Sequence, residues 1–123
     1  MYTDRCGYCR LMERSVLSKA KVVNKLNRHF ISVRINGSHF YKFQRDLQKI
    51  YKNKASTVLR EMVGRGGVPR TIFLNKNAEI ITVIPGFSSV VRSSFTELLG
   101  FIKDKCYKKN YSFYKYVVNG KCK

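Results

Sequence analysis

Cys6 and Cys9 stand two residues apart, with Gly7 and Tyr8 between them. Two cysteines at this spacing either close a disulfide across a helical turn or hold two corners of a zinc site. The residues that follow favour redox chemistry. Leu11, Met12, Ser15 and Val16 recur at helical spacing, which predicts a helix from the cysteines to about Leu17. Cys6 then sits at or just before the helix head, where unpaired backbone N–H groups and the positive dipole end favour thiolate over thiol. Arg5 and Arg10 add positive charge nearby. Cys9 lies about one turn further in, where it is expected to be more buried and less reactive. An attacking thiol followed by a resolving thiol is the minimum apparatus for thiol–disulfide exchange.

The elements that must position this pair follow from periodicity. A second helical run is predicted over residues 19–28, with Ser18 as its cap and Val22, Val23 and Leu26 on one side. Residues 31–35 alternate with period two and are rich in β-branched side chains, the pattern of a strand. Residues 39–52 carry Phe40, Phe43, Leu47, Ile50 and Tyr51 at helical spacing, and residues 55–63 form a shorter helical run. Gly64, Gly66 and Gly67 then form a cap and loop rather than a phosphate cradle, since no Lys-Ser or Lys-Thr follows them. Val68-Pro69 leads into a strand over residues 71–74, a turn over 75–78 and a second strand over 79–84, together a hairpin. A final helix spans residues 90–105, with Val91, Phe95, Leu98, Leu99 and Ile102 inward. The tail from Tyr107 holds one β-like run, residues 113–118.

Composition bounds the alternatives. The chain has 123 residues, one domain by length, with eight Phe and eight Tyr to fill a modest core. No run of about 18 apolar residues exists, so no membrane span is expected, and no apolar segment that would suit a signal peptide precedes the cysteines. A net charge of +18 speaks to solubility and to non-specific attraction for anionic partners: nucleic acid, anionic lipid head groups or an acidic protein. The densest block is residues 103–123, seven lysines against Asp104, interleaved with Tyr107, Tyr111, Phe113, Tyr114 and Tyr116. No recognised nucleic-acid motif accompanies it, so no nucleic-acid partner is expected.

The order of elements is reactive cysteines, helix, strand, helix, proline loop, hairpin, helix. It resembles the thioredoxin-like superfamily, and within it the bacterial extracytoplasmic branch that holds thioredoxin-related proteins of sulfur-oxidation clusters and the catalytic domain of periplasmic disulfide isomerases. The residues that carry the likeness are 2–10 around the cysteine pair, Gly67-Val68-Pro69-Arg70-Thr71-Ile72-Phe73-Leu74, and Ile84-Pro85-Gly86-Phe87. The resemblance implies an α/β fold, a central mixed sheet flanked by helices. It covers residues 1–105 as a domain incomplete at its N-terminal side and leaves residues 106–123 as a basic aromatic tail. It implies Cys6 and Cys9 as catalytic residues, and Gly7, Tyr8, Val68 and Pro69 as substrate-binding residues. Pro69 is expected to be cis and Val68 to pair with an incoming substrate strand. No cofactor and no metal is implied. The partners implied are protein thiols and disulfides, with a redox protein as electron donor or acceptor, in a periplasmic or otherwise extracytoplasmic location. Gly7-Tyr8 matches the pair of periplasmic disulfide isomerases, which points towards isomerase or reductase work.

One departure is pronounced. Family members carry a full hydrophobic strand before the cysteines, between the strand at 31–35 and the hairpin, and here only Tyr2 and Thr3 remain of it. Two strand edges would then lie unpaired over a hydrophobic core. The expectation is that the chain is a piece of a longer precursor or has a misassigned start; the other accounts are that a partner or the tail strand fills the gap.

Cys106 and Cys122 lie outside the family pattern. They either tie the tail as a structural disulfide, which suits an oxidising compartment, or stay idle thiols. A zinc site of all four cysteines is the rival from another class; the second pair lacks the short spacing such sites use. His29 and His39 show no ligand or triad spacing. The second functional reading is a thioredoxin-fold binding protein whose basic surface holds an acidic partner, with the cysteines incidental.

Overall fold

The computed structural model describes residues 1–37 and 67–123. Both helices expected over residues 39–63 lie outside the described residues. By their contacts the residues form two compact units, one of residues 1–10 and 34–87, the other of residues 11–33 and 88–123.

The first unit is built on backbone pairing. Strands β1 (Arg70–Leu74) and β2 (Ile80–Pro85) form the expected antiparallel hairpin, with Ile72 opposite Val83 and an irregularity between Phe73 and Leu74. Its turn is held by Asn75, whose side-chain oxygen accepts from the N–H groups of Asn77 (2.9 Å) and Glu79 (3.0 Å), the local bond that suits Asn to turns. On the other edge of β1, the Met1 nitrogen donates to Arg70 O (2.6 Å) and the Arg70 N–H donates to Met1 O (3.1 Å). Tyr2 pairs in parallel with Asn36: its N–H donates to Ile35 O (3.0 Å), and the Gly37 N–H donates to Tyr2 O (2.7 Å). The Arg34 guanidinium lies 4.6 Å from the centre of the Tyr2 ring.

This corrects the strand expected over residues 31–35. Those residues are in no strand; one bridge at Asn36 is what remains. A period-two pattern becomes a strand only where a neighbour supplies a ladder, and Tyr2 reaches one position. Ile31 is accordingly 98% and Val33 70% exposed.

The second unit is helical. Helix α1 (Gly7–Met12), whose first four residues count with the first unit, runs into a π-helical turn, Glu13–Leu17, which ends with the Ser18 N–H on Glu13 O (2.9 Å). Helix α2 (Ala20–His29) starts after Lys19 rather than from a Ser18 cap: the Ser18 hydroxyl donates back to Arg14 O (2.6 Å) and so is not free to cap. Helix α3 (Ser89–Lys103) is capped by Ser88, whose hydroxyl accepts from the Val91 N–H (3.3 Å). It packs on α2 and on the π-helical turn. Met12, Val16, Val22, Val91, Phe95, Leu99 and Ile102 are buried in this unit, with Leu98 half-buried. Phe101 is buried as well, although its position lies off the stripe expected to face inward.

Phe101 is buried because the tail packs on it, and there the β-like expectation fails. After a 3-10 turn, Cys106–Lys109, residues Phe113–Asn119 form helix α4. Cys106 and Cys122 are joined by a disulfide, their Cα atoms 5.7 Å apart. Phe113 and Tyr116 both meet Phe101 edge-on, with ring centres at 5.6 Å. Tyr116 reaches over Gly100 and donates its hydroxyl to Asp104 Oδ2 (2.8 Å). Local β propensity is worth little against two aromatic anchors and a covalent tie.

The Leu99 side chain is fully buried, so Leu99→Ala is expected to lower unfolding free energy by about 2–5 kcal/mol, whereas Leu98→Ala costs markedly less; denaturant titration reads both. Burial and the hydrogen bond to Asp104 push Tyr116 up to about 12 from the usual 10.0. The neutral phenol therefore supports the docked tail fully below about pH 10, and that support is lost as pH rises towards about 12. A spectrophotometric titration should show a late tyrosine ionisation near pH 12, and Tyr116→Phe should remove that late step.

Candidate functional site

The segment leading into the cysteines is fixed from both sides. Tyr2 is held by the residue 35–37 backbone, and the Asn36 amide donates to Asp4 Oδ1 (2.8 Å). A turn follows, closed by the Cys6 N–H on Thr3 O (3.2 Å). Helix α1 opens at Gly7, so Cys6 occupies the position just before it, and its carbonyl accepts the first helical bond, from the Arg10 N–H (3.3 Å). The site thus has the seat at the helix head that the sequence implies.

Cys6 and Cys9 form a disulfide with Cα atoms 5.2 Å apart. The Cys9 N–H points at Cys6 Sγ, 3.0 Å away. This is one of the first N–H groups of the helix, which have no carbonyl partner within it. Cys9 is buried and Cys6 half-buried, so the two sulfurs differ in access in the direction that an attacking and a resolving thiol require. Arg5 and Arg10 are both exposed beside the pair.

Gly7 and Tyr8, between the cysteines, are exposed, Tyr8 to 66%. A Cβ added at Gly7 would meet nothing within 4 Å. Gly7 therefore leaves open surface instead of relieving a clash.

The proline loop belongs to the same compact unit as the cysteines. The Val68–Pro69 peptide bond is cis, Pro69 is buried and Val68 half-buried. Two bonds position the loop. The mutual pair between Met1 and Arg70 sets Pro69 opposite Tyr2 in antiparallel register, and the Gly86 N–H donates to Pro69 O (2.8 Å). Gly86 has φ +74°, a left-handed conformation that side chains beyond Gly rarely adopt. The Pro85-Gly86 sequence held the signal for this anchor, but not for what it would anchor. The pairings of Met1 and Tyr2, with Arg70 on one side and residues 35–37 on the other, fall where the family resemblance puts the strand before the cysteines.

The four sulfurs are taken up in two disulfides, 6–9 and 106–122. Among the described residues no three His, Cys, Asp or Glu side chains gather as a metal site. His29 is exposed at the last turn of α2, where a basic side chain suits the helix dipole, and His39 lies outside the described residues. Among the described residues no helix is long and apolar enough to cross a membrane.

Comparison with known proteins agrees with this geometry. The family model described as a thioredoxin-like domain matches residues 1–103. No curated protein and no solved structure matches the sequence significantly. With the paired cysteines at a helix head, the hairpin and the match spanning most of its length, the chain belongs to the thioredoxin-like domain family.

Proposed function

We propose that the chain is a thiol–disulfide oxidoreductase that exchanges disulfides with protein substrates through Cys6-Gly7-Tyr8-Cys9. The observation that carries this is the Cys6–Cys9 disulfide at the head of α1 with the Cys9 N–H on Cys6 Sγ. In the reduced form the same N–H faces a thiolate, and a hydrogen bond to the charged form stabilises it.

Reduction of one substrate disulfide uses only the two cysteines of the chain. Cys6 thiolate attacks one sulfur of a substrate disulfide; a Cys6–substrate bond forms and the substrate's other sulfur leaves as thiolate. Cys9, deprotonated, attacks Cys6 Sγ; the Cys6–Cys9 bond forms and the second substrate sulfur leaves. Two electrons pass to the substrate, and a redox protein restores the dithiol. Run backwards, the steps oxidise a substrate; stopped midway, they allow isomerisation. The exposed Gly7-Tyr8 surface and half-buried Val68 are proposed to receive the substrate strand, with Pro69 offering no N–H of its own. The Gly7-Tyr8 pair favours the reductase or isomerase direction. An extracytoplasmic, oxidising location is proposed alongside, supported by the separate disulfide at Cys106 and Cys122.

In an insulin-reduction assay Cys6→Ser should fall to the buffer rate, while Cys9→Ser should accumulate mixed disulfides visible on a non-reducing gel. Wild-type turnover by both variants would sink the assignment. Following thiolate absorbance against pH, Cys6 should ionise below the ordinary cysteine value of about 8.5. Gly7→Ala should leave stability within about 0.5 kcal/mol of wild type, since the added methyl group meets open space.

A further inference from the structure

Helix α4 has two unlike faces. Tyr116 is buried, and a helix advances about 100° per residue, so positions 114 and 118 lie on the side turned away from it, with 117 adjoining. That outward side is apolar: Tyr114 is 77% exposed, Val118 is 68% exposed, and Val117 is exposed too. Around this stripe the sequence places Lys103, Lys105, Lys108, Lys109, Lys115, Lys121 and Lys123, every one exposed. Asp104, the single acid among residues 103–123, is engaged by Lys103 (2.9 Å) and by the Tyr116 hydroxyl. The Cys106–Cys122 disulfide closes the segment on itself, so stripe and lysines belong to one short, covalently tied stretch of chain.

We propose that this face docks on the surface of a membrane rich in anionic phospholipid. The pattern is an apolar stripe, with Lys115 beside it on the helix, in a segment rich in exposed lysines. At the boundary of head groups and acyl chains, two valines and a tyrosine ring bury their apolar area, lysine stems lie along it, and the ammonium groups meet phosphates. Each lysine near an anionic leaflet strengthens partition several-fold, and three apolar side chains keep the contact shallow and reversible. The other occupants fit less well. All seven cations are lysines, which lack the bidentate fork that suits nucleic-acid recognition, and of the stripe's three side chains two are valines, which offer no base a stacking platform, with Tyr114 alone able to do so. A second copy of the chain would bring seven lysines against seven.

The test is co-sedimentation of the full chain with vesicles of phosphatidylcholine alone and of phosphatidylcholine with phosphatidylglycerol, at low and raised salt, beside binding to duplex DNA and to polyglutamate. The expected result is binding to the phosphatidylglycerol vesicles and not to neutral ones, weakened by salt. Tyr114→Ser with Val118→Ser should weaken it about five-fold or more with unchanged circular dichroism. Lys108→Gln with Lys109→Gln and Lys115→Gln should weaken it and flatten the salt dependence. Equal or absent binding to the two vesicle types overturns the proposal. So does a Tyr114/Val118 variant that binds as wild type, or tighter binding to DNA or polyglutamate than to vesicles.

Discussion

The backbone exchange between Met1 and Arg70 is the constraint on which the site depends. Two hydrogen bonds join the chain just before the cysteines to the chain just after the cis-proline. Since strand neighbours stand in fixed register, fixing residue 1 against residue 70 fixes Tyr2 against Pro69. The four residues from Thr3 to Cys6 then carry the sulfur to the helix head. Tyr2's second partnership, with the residue 35–37 backbone, holds the same short segment from its far side. Residues 1 and 2 are thus paired on both edges, as the central strand of a sheet is, although the ladder is only one residue deep on each side.

From that anchor the chemistry follows by position. A sulfur at the head of a helix faces N–H groups that the helix itself leaves without carbonyl partners, and here one of them, from Cys9, reaches it. The buried partner sulfur lies one turn deeper. None of this asks for an unusual residue nearby; it asks that the turn over residues 3–6 deliver Cys6 to the start of α1. From the β2 side the Gly86 N–H holds Pro69 O.

What was legible in the sequence divides along physical lines. The cysteine helix, the hairpin and helix α3 are each specified by their own residues: periodicity, a turn asparagine and a serine cap. The cis-proline was legible only through family likeness. Residues 31–35 and 113–118 misled for opposite reasons. The first have strand chemistry but a neighbour that reaches only one position. The second have strand-prone Tyr and Val but are held by Phe101 and by a disulfide, which fold them as a helix. Alternation reports which faces a segment has; it does not report whether anything is there to meet them.

The tyrosine laid across α3 has a consequence for how the two helices tolerate change. A methyl group at residue 100 would come within 2.5 Å of the Tyr116 oxygen and 3.2 Å of its ring. Glycine weakens a helix interior by roughly 1 kcal/mol relative to alanine, yet here the missing methyl group is the socket that lets the phenol reach Asp104. Bulk at 100 and bulk at 116 are therefore a single shared volume. A chain that swapped in a larger residue at one would need a smaller one at the other, and the tail would then have to find a different way to close over Phe101.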